Sequence, residues 1–163
     1  MKKKNIQFVI IILILIIIDQ IIKYFISINY TNMPISIIKN VLQVNYIQNF
    51  GIAFGIARGS KSIIIITNLI IIGAILSFLF AQSNSLNNIK KMLISISVAG
   101  GIGNLIDRVF RGYVVDYIDI TPIINYPVFN FADILVVLGI VCFAMYLIKD
   151  IICENNINKE NKV

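Results

Sequence analysis

The segment from Ile6 to Ile28 reads IQFVIIILILIIIDQIIKYFISI, and it decides the class of fold. It is almost entirely aliphatic until Asp19, Gln20 and Lys23 interrupt it near its end. About 20 residues of helix, rising about 1.5 Å each, cross the hydrocarbon core of a bilayer. The segment therefore predicts a membrane-spanning helix.

Three further segments have a similar length and character. The chain has 163 residues, of which 58% are hydrophobic and 13% are charged, and its mean hydropathy of +0.89 exceeds that of soluble domains of this size. We expect an all-α integral membrane protein with a single membrane-embedded domain over residues 1–163. The expected transmembrane helices cover 6–28, 62–81, 92–110 and 132–152, and the expected extracytoplasmic segments cover 29–61 and 111–131.

Lys2, Lys3 and Lys4 precede the first segment, as basic residues do in a cleavable secretory signal. The apolar run instead continues into Asp19 and Lys23 without a small-residue cleavage site, so a retained helix is the favoured interpretation. Asp19 and Lys23 are four residues apart with the acid first, which is a favourable pair on a helix. We interpret them as a structural ion pair.

Lysine and arginine residues near the ends of the spans predict the orientation, because they are enriched on the cytoplasmic side. Eight lie on the side of both termini and five on the other side, so we expect both termini in the cytoplasm. The net charge of +6 is attributed to this topology and to attraction to anionic membrane lipid, and not to nucleic-acid binding. The eight are Lys2, Lys3, Lys4, Lys90, Lys91, Lys149, Lys159 and Lys162, and the five are Lys39, Arg58, Lys61, Arg108 and Arg111.

The segment between the first two spans is too polar to lie in lipid. In it, Leu42, Val44 and Tyr46 alternate with Gln43 and Asn45, which is the pattern of a half-exposed strand. We expect a small extracytoplasmic β-sheet between helices 1 and 2.

This segment ends in the sequence NFGIAFG at 49–55. Its small residues Gly51, Ala53 and Gly55 would let the backbone approach a neighbouring group closely. An ordinary glycine-rich turn accounts for the same composition equally well.

Histidine is absent from the chain, which excludes a Ser-His-Asp triad, a zincin motif and a His-ligated metal. Cys142 and Cys153 lie about 16 Å apart along a helix, too far for a disulfide, and we interpret them as packing residues. No cofactor or metal ion is predicted.

The charged residues of the expected helices lie towards one end of the bundle. Asp19 falls in the outer half of the first helix, and Asn104 and Asp107 fall in the outer part of the third. This is the end at which Asp116 and Asp133 leave the membrane. The sequence therefore predicts a polar site at the outer surface.

The outer part of the third helix reads GGIGNLIDR at 100–108. The spacing of Gly100, Asn104, Asp107 and Arg108 places them close to one helical face. The glycines favour close packing against a neighbouring helix. Asp107 and Arg108 are equally consistent with a structural ion pair, to which Asn104 adds hydrogen bonds, and with a direct part in catalysis.

Asp116 and Asp133 flank a short polar loop. A carboxylate at a membrane boundary is costly to desolvate, so a pair of them is a functional-site hypothesis. The alternative is that one or both are solvated loop charges, or that Asp133 caps the N-terminus of the fourth helix. If the two lie within a few Å, one is ionised and one protonated near neutral pH. That is the arrangement of an aspartic peptidase.

Five motifs, occurring in order along a chain with four spans, give this protein a resemblance to the bacterial lipoprotein signal peptidases (signal peptidase II). These are aspartic peptidases of the cytoplasmic membrane, and the resemblance covers nearly the whole chain. The motifs are DQIIK at 19–23, NFGIAFG at 49–55, GGIGNLIDR at 100–108, VVDYID at 114–119 and FNFAD at 129–133.

The resemblance implies an aspartic endopeptidase whose catalytic pair is Asp116 and Asp133, working at the extracytoplasmic face of the bacterial cytoplasmic membrane. Its substrate would be a prolipoprotein with a diacylglyceryl-modified cysteine, cut just before that cysteine to release the signal peptide. Globomycin-type cyclic peptides would inhibit it. Ser often follows the FNxAD motif in this family, but here Ile134 stands in its place, which puts in doubt a hydrogen bond from that position. The residues expected to shape the site or hold the substrate are Asn49, Gly51, Asn104, Asp107, Arg108, Asn130 and Ala132.

Two other classes of function compete with this one. A small proton-coupled transporter would also use intramembrane carboxylates, but it needs a polar path, and the second span offers only Thr67, Asn68 and Ser77. A structural or assembly subunit held by glycine packing leaves the clustered aspartates unexplained.

Overall fold

The computed structural model describes residues 3–31, 34–51, 61–82 and 84–160. Within these residues, four helices are long and apolar enough to cross a membrane, which confirms the predicted helical membrane fold. The helices are α1 (Lys3–Asn29), α2 (Lys61–Ala81), α3 (Asn88–Phe110) and α4 (Phe131–Glu160).

The largest differences from the expected bounds are at the start of α3 and at the end of α4. α3 begins at Asn88, before the expected start at residue 92, because the side chain of Asn87 accepts a hydrogen bond from the backbone N–H of Lys90 at 2.9 Å. An asparagine at this position satisfies one of the N–H groups that a helix start leaves free. α4 continues to Glu160, past the expected end at residue 152.

Two strands follow α1 and a third strand follows α3. The predicted sheet between α1 and α2 is confirmed, and the segment between α3 and α4 adds a strand to it. Antiparallel register pairs Ile47 with Asp116 and Asn49 with Val114, so the end of the second strand lies beside the first aspartate. The strands are β1 (Ile35–Ile38), β2 (Leu42–Asn49) and β3 (Val114–Asp119), in the order β1-β2-β3.

α3 is the central helix of the bundle, and the other three helices pack against it. Half of its membrane-spanning window is buried, against 17–22% for the other three. Val98 is at the centre of a core cluster to which α1 contributes Ile12, α2 contributes Ile72 and α4 contributes Leu135. Polar groups near the C-terminal end of α3 are therefore shielded from lipid by its neighbours.

Gly100 allows α3 and α4 to approach each other closely. A Cβ atom at this position would clash with the carbonyl oxygen of Ala132. The predicted packing role of this glycine is confirmed. The contact fixes the start of α4, and with it Asp133, against the C-terminal half of α3.

Candidate active site

Asp116 and Asp133 come together at the end of the bundle that carries the β-sheet, where Asn130 joins them. Asp116 lies in β3, and Asp133 lies in the first turn of α4. The side-chain amide of Asn130 donates to Asp116 Oδ1 at 2.6 Å, and its backbone N–H donates to Asp133 Oδ2 at 3.1 Å. One residue thus holds both carboxylates.

Asp133 also belongs to the cap of α4. Asn130 Oδ1 accepts the backbone N–H of Asp133 at 2.9 Å, while the Asp133 carboxylate accepts the backbone N–H of Asn130. This reciprocal pair is a capping box, which satisfies two of the free N–H groups at the helix start. The cap and the carboxylate pair therefore depend on the same two side chains.

Asp116 is buried, with only 2% of its surface exposed. Its second oxygen accepts the side-chain amide of Asn49 at 2.8 Å. Burial, followed by the nearby charge of Asp133, raises the pKa of Asp116 to about 6, although the hydrogen bonds from Asn49 and Asn130 oppose the rise. Asp116 therefore gains or loses its proton close to neutral pH.

Asn49 and Arg108 fix the start of the NFGIAFG segment beside this pair. Asn49 Oδ1 accepts the backbone N–H of Gly51 at 3.0 Å, and Arg108 Nη2 donates to the Gly51 carbonyl oxygen at 3.3 Å. Gly51 is thus held by two of the predicted site residues. Ala53 and Gly55, predicted for the same close approach, lie outside the described residues.

Below the carboxylate pair lies a buried ionic cluster formed by Asp19, Lys23, Asp107 and Arg111. Lys23 Nζ lies 2.9 Å from Asp19 Oδ2 and 3.0 Å from Asp107 Oδ2, and all three side chains are fully buried. Arg111 Nη1 donates to Asp107 Oδ1 at 2.7 Å. The ion pair predicted between Asp19 and Lys23 is thus one contact in a larger cluster.

Asp107 takes Lys23 and Arg111 as its partners, so the ion pair between Asp107 and Arg108, one of the two alternatives for these residues, does not form. Successive residues of a helix point in different directions, whereas residues four apart lie on the same face. Arg108 is directed towards Gly51 and the backbone oxygen of Asn104 instead.

Asn104 connects the ionic cluster to the carboxylate pair. Its side-chain oxygen accepts from Lys23 Nζ at 2.9 Å and from the Asn130 amide at 3.1 Å. Its side-chain nitrogen donates to Asp133 Oδ1 at 2.7 Å. A continuous set of hydrogen bonds therefore runs from α1, through α3, to the first turn of α4.

Ala132, the last predicted site residue, is fully buried against α3, where its carbonyl oxygen faces Gly100. Three contributors were not predicted. Gln20 donates to Asp19, Asp107 and the Gly103 carbonyl, Arg111 pairs with Asp107, and the Tyr117 hydroxyl accepts the backbone N–H of Phe131. The position of Arg111, four residues after Asp107, was a signal that could have identified it.

No three His, Cys, Asp or Glu side chains in the described part of the chain are placed to bind a metal ion together. The donor set around Asp116 and Asp133 consists of amides and backbone N–H groups. N–H groups of this kind donate hydrogen bonds to carboxylate oxygens and are not themselves ligands for a metal cation. The site can therefore act as a proton donor and acceptor pair.

Comparison with known proteins places this geometry in a family. Residues 11–149 match the family model described as Signal peptidase (SPase) II. A lipoprotein signal peptidase of Clostridium novyi (strain NT) is 41% identical over 119 residues, which cover 71% of this chain and 79% of that protein. Another, of Clostridioides difficile (strain 630), is 35% identical over 142 residues, covering 86% of this chain and 94% of that protein.

A solved bacterial membrane enzyme structure shares the fold, with a TM-score of 0.81, 32% identity and 88% of each chain covered. The four spans and these relatives identify a multi-pass bacterial membrane protein. Because the family model covers most of the chain, the resemblance first seen in five short motifs is confirmed. The chain belongs to the signal peptidase II family, the lipoprotein signal peptidases.

Proposed function

We propose that this protein is an aspartic endopeptidase that removes signal peptides from diacylglyceryl-modified prolipoproteins, cutting just before the lipidated cysteine. The observation that carries the proposal is the pair formed by Asp116 and Asp133, which share Asn130 as a hydrogen-bond partner at the end of the bundle that carries the β-sheet. The family assignment supplies the substrate class. Nothing in the comparisons supports a transporter.

Hydrolysis needs one carboxyl of the pair ionised and the other protonated. The ionised one takes a proton from a water molecule, whose oxygen attacks the scissile carbonyl carbon, while the protonated one donates its proton to the carbonyl oxygen. When the tetrahedral intermediate collapses, the C–N bond breaks and the leaving amine takes up a proton from the pair. A pKa of about 6 for Asp116 supports this division, since it lets one proton remain on the pair near neutral pH.

The surrounding residues are proposed to orient the substrate backbone. Asn49 and Arg108 fix Gly51 next to Asp116, where a bound peptide would meet backbone and amide groups. A second group of residues does not meet the substrate but holds the carboxylates in place through its contacts. These residues are Asn104, Asp107, Asn130 and Ala132.

The depth of the pair suits a lipid-anchored substrate. The site is built from the C-terminal ends of α1 and α3 and the start of α4, which are ends of candidate spans, and this supports a position of both carboxyls near a membrane surface. A signal peptide crosses the membrane as a helix, and its lipidated cysteine lies at the outer surface. We propose that the site faces the extracytoplasmic side, with both termini in the cytoplasm. A topology reporter tests this orientation. When fused at Asn40, in the turn between β1 and β2, it should report an extracytoplasmic position.

The test is cleavage of a purified diacylglyceryl-modified prolipoprotein by the purified enzyme. Asp116→Asn and Asp133→Asn should each remove turnover, because either change takes away a proton-transfer group worth on the order of 100-fold or more in rate. Asp150→Asn is the matched control, since Asp150 pairs with Lys90 at the opposite end of the bundle. Cleavage by the two active-site variants at the rate of the Asp150→Asn control would refute the assignment. Globomycin-type cyclic peptides should inhibit the wild-type enzyme.

A further inference from the structure

Lys23 is a fully buried lysine whose every described contact is with an oxygen acceptor. Its ammonium group reaches Asp19, Asp107 and Asn104 at 2.9–3.0 Å. An ammonium group has three N–H donors and no acceptor. The three contacts therefore use its full donor capacity.

The contact between Lys23 and Asn104 determines the orientation of the Asn104 side-chain amide. Because Lys23 can only donate, the Asn104 atom facing it must be the oxygen, and the amide nitrogen must face the other way. Asn130 reinforces the choice by donating to the same oxygen at 3.1 Å. The Asn104 nitrogen is then directed at Asp133 Oδ1, to which it donates at 2.7 Å.

Asp133 consequently receives a donor on each carboxylate oxygen, from Asn104 on Oδ1 and from the backbone N–H of Asn130 on Oδ2. It also lies in the first turn of α4, where the positive end of the helix dipole favours a negative charge. Asp116 also accepts an amide on each oxygen, from Asn130 and Asn49, so the number of hydrogen bonds does not distinguish the two carboxyls. The start of α4 favours the charge on Asp133, which is only half-buried, whereas Asp116 is buried in β3 and is not at a helix start.

We propose that Lys23 is a positioning residue for the reaction: through Asn104, it holds Asp133 as the ionised member of the pair, and so leaves Asp116 to carry the proton. In peptide hydrolysis, Asp133 then takes the proton from water and Asp116 supplies the proton to the carbonyl oxygen. The assignment of these roles rests on the proposed function, whereas the effect of Lys23 on the location of the proton does not.

Asp19 has a different part in the same cluster. Its Oδ2 pairs with Lys23, while its Oδ1 has no hydrogen-bond partner among the described residues. It has no described contact with Asn104 or with either carboxylate of the pair. Asp19 therefore balances the charge of Lys23, and changing it should cost stability without redirecting the Asn104 amide.

Other charged and titratable groups also surround Asp133. Arg108 is close enough to interact electrostatically with Asp133, Asp116 and Asp107, and it remains in place in the variants below. The groups that interact with Asp133 directly are Asp116 and Tyr117 from β3 and Arg108 from α3. Lys23 and Asp19 from α1 and Asp107 and Arg111 from α3 form the ionic cluster on the other side of Asn104.

The first measurement compares the pH dependence of cleavage in Lys23→Met and Asp19→Asn. In Lys23→Met, kcat should fall by about 10- to 100-fold with little change in KM, because a reacting group is misplaced and not the substrate. The acidic limb of the pH profile of kcat for Lys23→Met should move to higher pH, because the ionised form of Asp133 is no longer stabilised by a correctly oriented Asn104 amide. Asp19→Asn, which keeps the contact from Lys23 to Asn104, should lower Tm but retain the wild-type pH profile.

Lys23→Met leaves two buried carboxylates short of a cation, so it is paired with the double variant Asp19→Asn/Lys23→Met, which restores the charge balance. The double variant should fold better and still show the altered profile. If the two Lys23 variants keep the wild-type profile and kcat once corrected for the folded fraction, Lys23 is only structural and the proposal fails.

The second measurement needs no substrate. An infrared pH titration of the protonated carboxyl band locates the proton: the band that persists towards neutral pH should vanish in Asp116→Asn and remain in Asp133→Asn. The reverse result would overturn the assignment even if cleavage is normal. If the wild-type enzyme does not cleave a lipidated prolipoprotein at all, the proposed function fails, and this titration, repeated in the double variant, still decides the effect of Lys23.

Discussion

Asp116 and Asp119 belong to the same strand and are equally inaccessible to solvent, at 2% exposure, yet their pKa values move in opposite directions. Burial raises the pKa of both carboxyls, and for Asp116 the charge of Asp133 adds to that rise. Asp119 instead accepts hydrogen bonds from Thr121, Asn45 and Gln43, which outweigh burial and lower its pKa to about 2. Asp116 also accepts two hydrogen bonds, so three differences together separate the two pKa values: the larger number of donors at Asp119, the deeper burial of Asp116, and the charge of Asp133 beside it.

The depressed pKa of Asp119 makes a stability prediction. A carboxyl with a pKa of 3.8 in the unfolded chain and about 2 in the fold stabilises the fold by about 2 kcal/mol, fully above about pH 4 and lost as the pH falls through about 2. Asp119→Asn should therefore unfold about 2 kcal/mol more easily at neutral pH, and the difference from wild type should shrink in acid. Thermal unfolding in detergent at several pH values measures it. A constant difference across that range would contradict the linkage.

Asp116 should behave in the opposite way. Its pKa rises from 3.8 to about 6, so ionising it in the fold costs up to about 3 kcal/mol, a cost that is absent below about pH 4 and complete above about pH 6. Asp116→Asn cannot ionise, so its Tm at neutral pH should equal or exceed that of the wild type even though turnover is lost. Asp119→Asn serves as its control in the same strand. A Tm clearly below wild type in neutral buffer would show that Asp116 stabilises the fold.

The first turn of α4 is the element on which the geometry of the site depends most. Asn130 caps the helix, Asp133 closes the capping box, and the carbonyl of Ala132 between them lies against Gly100. A shift of this turn would therefore move a helix cap and a proposed catalytic group together.

Gly100→Ala tests this dependence. The new methyl group would meet the backbone oxygen of Ala132, which cannot rotate away, so the fold should lose about 1–3 kcal/mol and activity should fall by about 10- to 100-fold. Gly73→Ala in α2 is the matched control, because a Cβ there would have no atom within 4 Å. It should be neutral or slightly stabilising. Equal effects of the two substitutions on Tm and turnover would exclude a close contact at Gly100.

The elements differ in how far the sequence predicts them. The helices follow from hydropathy alone, since a chain in lipid must satisfy its own backbone groups within each span. The motifs also place Asp116, Asp133, Asn104 and Asn130 at one site. The sequence left the role of Asp107 open, because its contact with Lys23 depends on how α1 and α3 pack together. The pairing of β3 with β2 is likewise a contact between distant segments that strand periodicity does not specify.

At the scale of the whole molecule, charge is divided between the two ends of the bundle. The carboxylate pair and the ionic cluster occupy the end that carries the β-sheet, whereas Lys90 and Asp150 pair at the other end. Between them, the surfaces of α1, α2 and α4 that face outwards are mostly aliphatic. The proposed substrate has the same division, with a polar peptide bond at the membrane surface and an apolar signal helix and acyl chains in the lipid.

This match predicts a strong preference for the lipidated substrate. Each methylene of the diacylglyceryl group that enters the lipid phase contributes about 0.8 kcal/mol of anchoring. Anchoring alone would lower KM only, because it acts equally on the bound substrate and on the transition state. If the lipid also sets the depth of the scissile bond at Asp116 and Asp133, kcat should rise as well, since productive alignment is an entropic contribution to the rate.

Kinetics of one peptide with a diacylglyceryl, a short-chain thioether or an unmodified cysteine, in the same detergent, separate these effects. Identical kcat and KM for all three peptides would show that the enzyme does not recognise the lipid, whereas a change confined to KM would assign the lipid to anchoring alone.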